Sequence, residues 1–148
     1  MIDPNIGESL HRLLHAYKRA LRQAYQEAEL PLSVSHMRAM KVINHSQQNP
    51  QNICTAQLIA QRLQRDKAQI TRLIKDLLGE ELIEKHDHPE DRRSQVLMLT
   101  PKGRSMVAQI RDIENLAGHR MATGLNAAEI SDFIKLANTM AENLKPTP

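Results

Sequence analysis

Between Arg65 and Arg93 the chain collects hydrogen-bond donors at spacings that have a chemical meaning. Lys67, Gln69, Thr71, Arg72 and Lys75 lie opposite Ile70, Leu73, Ile74, Leu77 and Leu78, which recur at intervals of three and four. A helix over about 67–80 with this pattern turns its aliphatic side inward and presents ammonium, guanidinium, amide and hydroxyl groups outward. Those donors match the base edges and phosphates of a major groove. Arg65 precedes the helix in a tight connection, where a guanidinium meets a phosphate. Farther on, Arg92 and Arg93 follow the turn formers Asp87-His88-Pro89-Glu90-Asp91. An arginine at the tip of a flexible loop fits a narrow minor groove, where negative potential is concentrated. Any one of these residues alone is more often a solvated surface charge; their order along the chain makes the case.

The elements that must position them are legible on either side. Thr55–Leu63 reads as a short helix, Gln64-Arg65-Asp66 as a three-residue turn, and Asp66 as the N-cap of the donor-bearing helix. Leu82–His86 and Ser94–Thr100 alternate as two strands, so Arg92 and Arg93 sit at the tip of a hairpin wing. Ile53-Cys54 is expected to add a very short third strand. Thr100 caps a further helix, with Pro101 in its first turn.

The sequence Asp91-Arg92-Arg93-Ser94-Gln95-Val96-Leu97-Met98-Leu99-Thr100-Pro101-Lys102-Gly103 resembles the wing pattern of the multiple antibiotic resistance regulator (MarR) family of winged helix-turn-helix repressors. That pattern is Asp-x-Arg, three residues, an apolar residue, any residue, then Leu-Thr-x-x-Gly. Thr71-Arg72-Leu73-Ile74 and Leu82-Ile83 look like the family's recognition helix and first wing strand. One departure is Gln64, where many members have glycine; a side chain there needs a strained backbone. The resemblance implies a sequence-specific transcriptional regulator, a repressor released by a small molecule bound between the dimer helices and the DNA-binding unit. It implies dimerisation through the first, fifth and sixth helices. It also implies that Arg93 is the minor-groove arginine, oriented by a salt bridge from Asp91, with Arg92 open to phosphate.

With 148 residues the chain makes one domain, 1–148, with a winged helix-turn-helix over about 33–100 and flanking helices over about 5–30 and 102–145. The expected fold is mainly α with a small β-hairpin wing: a winged helix-turn-helix of six helices in an intertwined homodimer. The net charge of +3 permits nucleic-acid binding without demanding it, so the argument rests on where the arginines stand. No apolar run approaches the roughly 20 residues that cross a bilayer, and no signal peptide is apparent. One cysteine excludes an intramolecular disulfide and fits a reducing cytoplasm. No catalytic motif, cofactor motif or metal-ligand cluster is present, so no enzyme is expected.

The flanking helices carry apolar stripes: Ile6, Leu10 and Leu13 in the first, and Ile130, Phe133, Leu136, Met140 and Leu144 in the last. Burying one such side chain is worth about 1.5–3 kcal/mol. The small central unit cannot cover both stripes, so a second copy is expected against them. A two-fold dimer sets its reading helices roughly 34 Å apart and calls for a palindromic double-stranded operator. The second helix is expected to open at Ser33, carry Met37, Met40, Val42 and Ile43, and yield to a polar loop over Asn44–Asn52, Pro50 included. Asn126 and Glu129 are spaced as a capping box for the last helix.

His11, Arg12, His15 and Arg38 are the polar groups available to an anionic or aromatic effector. His11 and His15, four apart, form a metal site only if His36 joins them in space. Cys54 reads as a structural thiol rather than a redox switch. Two alternatives stay open: a thiol- or metal-responsive regulator on the same scaffold, and a winged-helix protein-interaction module that binds no DNA.

Overall fold

The computed structural model describes residues 4–49 and 51–147 and builds them into six helices and one hairpin. The helices are α1 (Ile6–Glu27), α2 (Val34–Gln47), α3 (Ala56–Leu63), α4 (Lys67–Gly79), α5 (Pro101–Met121) and α6 (Ala127–Asn143). The strands β1 (Ile83–Asp87) and β2 (Gln95–Leu99) are antiparallel, with Ile83 opposite Leu99 and Asp87 opposite Gln95. The mainly helical winged helix-turn-helix expected from the sequence is thus the observed architecture.

Five of the helices start where a side-chain oxygen meets the free amides of the first turn. Ser33, Thr55, Asp66, Thr100 and Asn126 accept from the backbone N–H of His36, Leu58, Gln69, Gly103 and Glu129 respectively. Each such cap is worth about 1 kcal/mol. Asn126–Glu129 is a full capping box, as its spacing predicts, and Asp66, expected as an N-cap, forms a second one with Gln69. Thr55 itself lies outside α3, because it is the cap.

The core joins Met37, Met40 and Ile43 of α2, Ile59 of α3, Ile70 and Leu77 of α4, Leu97 and Leu99 of β2, and Val107 and Ile110 of α5. Leu21 and Tyr25 add the C-terminal half of α1. Glu114 of α5 knits three helices together: it accepts from Lys41 Nζ of α2 at 2.7 Å and from Tyr25 Oη of α1 at 3.3 Å. Burial, then the adjacent Glu114 carboxylate, push the Tyr25 phenol above its ordinary pKa.

Three sequence expectations are corrected. The second helix runs through Asn44–Gln47, which composition had assigned to a loop. Tertiary contacts decide this: Ser46 is buried, and the Gln47 side chain accepts the Leu99 amide at 2.7 Å. Of the remaining loop residues, Pro50 lies outside the described residues. Ile53-Cys54 is not a strand; among the described residues the sheet has two strands, and Cys54 gives only its carbonyl, to Leu97 N–H at 2.9 Å. The first helix stops at Glu27, ahead of Pro31: Glu29 takes a left-handed conformation (φ 57°), and Leu30 N–H bonds back to Tyr25 O.

Where α4 ends, the chain closes on the start of α5. Glu81 is left-handed at φ 58°, and Leu82 N–H returns to Leu77 O at 3.0 Å. Gly103, in the first turn of α5, lies directly against the Leu82 carbonyl, so any Cβ at 103 would occupy the same space as that oxygen. Gly79 has open space around it. Replacing Gly103 with Ala is expected to destabilise the protein by roughly 1–3 kcal/mol or more in urea unfolding, whereas Gly79→Ala shifts stability by less than about 1 kcal/mol.

Candidate nucleic-acid interface

The donor-bearing face of α4 is exposed from Lys67 to Lys75, while Ile70, Leu73, Ile74 and Leu77 are buried beneath it. Its orientation follows from the turn before it. Gln64 ends α3 in a left-handed conformation at φ 53°, the strain foreseen for a side chain at this position, and Arg65 N–H returns to Ala60 O at 3.1 Å. Such a conformation costs an L-residue about 1 kcal/mol, offset here by the cap that Asp66 supplies one step later.

Two of the predicted donors are also used inside the helix. Gln69 Oε1 accepts from Asp66 N–H at 3.4 Å, which leaves only its amide NH2 facing out. The Thr71 hydroxyl donates to Lys67 O at 2.8 Å and so offers outward its lone pairs and methyl group. Lys67, Arg72 and Lys75 form no ion pair among the described residues, and their charges are uncompensated at the surface.

The wing tip is ordered by two acceptors. His88 Nδ1 accepts from the Glu90 and Asp91 amides, both at 3.0 Å. Asp91 accepts from Arg93 N–H at 2.9 Å and from the Ser94 hydroxyl at 3.0 Å. The salt bridge expected between Asp91 and the Arg93 guanidinium is not formed. The carboxylate instead closes a turn on its own backbone, a local geometry that side-chain spacing alone does not distinguish from an ion pair. These hydrogen bonds, first the one from Arg93 N–H, hold the Asp91 carboxyl below its ordinary pKa. The side chains of Arg92 and Arg93 are exposed and form no ion pair among the described residues.

α3, α4 and the wing enclose an open cleft of about 790 Å³. Its rim brings together Lys67, Thr71, Lys75 and Arg93 above a floor that includes Ile70, Ile74 and Leu97. Arg65, Gln69, Arg72, Asp91 and Arg92 stand outside it, exposed to solvent. Lys85 also reaches the cleft, and the sequence reading missed it. The signal was available: two residues from Ile83 on β1, Lys85 must share the α4-facing side.

The other predicted groups are dispersed. His11, Arg12 and His15 line a shallow groove on α1 with Glu8 and Lys18. Arg38 lines a separate cleft of about 400 Å³ with Lys41, His45 and Arg62. The four effector candidates therefore do not converge within one chain, since α1 presents its histidines away from α2. His36 does not join His11 and His15; it bonds Ser33 and Asp76 instead. Among the described residues no three metal-ligating side chains cluster. Cys54 is buried, and that burial pushes its thiol up to about 11 against a smaller opposing effect from Ser46. The stripe residues Ile6, Leu10, Leu13, Phe133, Leu136, Met140 and Leu144 are exposed, Ile130 is half-buried, and no residue of α6 is buried.

Residues 45–95, which run from the last turn of α2 through α3, α4 and β1 to the start of β2, match the sequence model of the MarR family. Over that segment the chain is similar to the family. Nearly the whole chain shares its fold with solved structures. It superimposes on S. aureus MepR in a MepR–DNA complex with a TM-score of 0.79 at 18% identity, covering 96% of this chain and 100% of that one. A mutant MarR from E. coli complexed with operator DNA gives 0.77 at 17% identity, covering 93% and 94%. BpsR of Bordetella bronchiseptica, whose DNA binding is regulated by 6-hydroxynicotinic acid, gives 0.76 at 20% identity, covering 95% and 97%. No curated protein sequence matches the chain. Among the described residues, no helix is long and apolar enough to cross a membrane.

Two outcomes follow for this module. Because the folded Asp91 carboxyl titrates below its unfolded value, the order it gives the wing tip is present above the ordinary aspartate range and lost as pH falls through the lowered value. The Arg93 amide resonance should therefore move with that titration in NMR, and Asp91→Ala should abolish the pH dependence. Cys54 should resist a thiol reagent at pH 8 in the native protein and react fully in denaturant.

Proposed function

We propose that this protein is a homodimeric, sequence-specific DNA-binding transcriptional regulator that represses its target and releases it on binding a small molecule. The observation that carries the reading is the pairing of an exposed cationic helix face with a wing whose arginine tip is fixed by backbone hydrogen bonds. In this reading, Lys67, Gln69, Thr71, Arg72 and Lys75 address the major groove. Arg93 enters the flanking minor groove, while Arg65 and Arg92 contact phosphates. Held from Asp91 through its own amide, Arg93 leaves its guanidinium unpaired for the nucleic acid.

The uncovered stripes of α1 and α6 supply the dimer. Leu10 is 59% exposed, Leu136 57% and Leu144 80%, and covering each is worth about 1.5–3 kcal/mol. Two copies joined there carry two reading helices, and the matching site is a palindrome with half-sites roughly 34 Å apart. The cleft around Arg38 favours an anionic effector: Arg38, Lys41, His45 and Arg62 line it, with no carboxylate among its lining residues. Lying between α2 and α3, it would couple ligand to reading-helix placement through differential affinity for two arrangements of the dimer.

Binding to duplexes selected from a random pool tests the reading. A palindromic consensus is expected, with affinity falling steeply as salt rises. Arg93→Ala should weaken binding by about 1–3 kcal/mol in fluorescence anisotropy, with the dimer intact in sedimentation. Equal affinity for the variant, or a stable monomer, would overturn the assignment.

A further inference from the structure

Asp76 stands on α4 one turn after Arg72, and at this spacing an arginine and an aspartate are neighbours on a helix surface. The expected ion pair between them is nevertheless absent. Asp76 Oδ2 lies 2.9 Å from Nε2 of His36, on the first turn of α2. The other side of the same imidazole is fixed as well: Nδ1 lies 2.6 Å from the Ser33 hydroxyl and accepts from Ser33 N–H at 3.3 Å. An Nδ1 that accepts from a backbone amide leaves the proton on Nε2, which is the nitrogen that donates to Asp76. The α2 cap thus selects the tautomer and aims it. The position also suits a carboxylate, since it adjoins the positive end of the α2 dipole.

His36 is 19% exposed against 59% for Asp76, so the ring is the fixed partner and the carboxylate the docked one. The consequence falls on Arg72, which makes no hydrogen bond or ion pair among the described residues.

We propose that His36 is a positioning residue for the DNA-reading helix, holding Asp76 against α2 so that Arg72 stays unpaired for the nucleic acid. This rests on the DNA-binding reading above. Without the imidazole, Asp76 is free to close on Arg72, and the helix offers one cation fewer.

A double-mutant cycle on the full-length protein tests the proposal with the wild-type consensus duplex as probe. His36→Ala should lower affinity about three- to tenfold, and the slope of log K against log salt should become shallower by up to about one phosphate contact. Asp76→Ala should bind at least as tightly as wild type. The double variant should recover wild-type affinity to within about twofold, because no carboxylate remains to capture Arg72. A purely structural role through the α2 cap predicts something else: the same loss from His36→Ala in both backgrounds, tracking the loss of thermal stability. That result, or full affinity in His36→Ala alone, would overturn the proposal. If wild-type protein binds no duplex, the DNA-binding reading itself fails, and the two failures are told apart.

Discussion

The architecture depends on how the C-terminus of α4 is finished. A helix leaves its last carbonyls without intrahelical partners; here Asp76, Leu78 and Leu77 O accept from Glu80, Glu81 and Leu82 N–H, and the start of α5 in turn binds the carbonyls of that closing segment. The Thr100 hydroxyl donates to Glu81 O at 2.7 Å, Lys102 Nζ to Glu80 O at 2.9 Å, and Thr100 N–H to Leu82 O at 3.1 Å. Thr100 also caps α5 through Gly103 N–H at 3.0 Å, so one residue fastens the turn after α4 and opens α5. The approach is so tight that Gly103 has no room for a side chain. The reading helix, the base of the wing and the first turn of α5 therefore meet at a single point and move together.

With that junction in place, the exposed charges need little further support. Backbone hydrogen bonds, rather than ion pairs, fix Arg93 and the start of α4. Exposed ion pairs contribute little to stability and consume the charge. A surface meant to exchange counterions for phosphates benefits from leaving its cations unpaired. This also explains how a chain with a net charge of only +3 concentrates positive potential where α4 faces the wing, with Glu84 paired to His86 on the hairpin rather than to an arginine.

Much of this was legible in the chain because the signals are local. Caps at Ser33, Asp66, Thr100 and Asn126 announce helices within four residues, and the three-and-four spacing of Ile70, Leu73, Ile74 and Leu77 fixes which side of α4 faces out. What escaped depends on distant residues. The polar run Asn44–Gln47 is helical because Gln47 meets Leu99 across 52 positions. Asp91 turned to a backbone amide where the family resemblance implied a guanidinium. Asp76 found a partner 40 residues away in preference to one four away. Lys85, by contrast, lies where strand alternation alone places it.

The two ends of the reading unit answer to the same helix. α5 begins at the α4 junction, and midway along it Glu114 grips Lys41 of α2 and Tyr25 of α1. Lys41 also lines the cationic cleft with Arg38 and Arg62. A shift of α5 would therefore pull on the turn that ends α4 and, through the Glu114 ion pair, on α2. α2 also meets α4 at the exposed hydrogen bond between His36 and Asp76. A unit tied this way tends to move between discrete arrangements rather than deform continuously, which is the behaviour that the proposed ligand-released regulator needs.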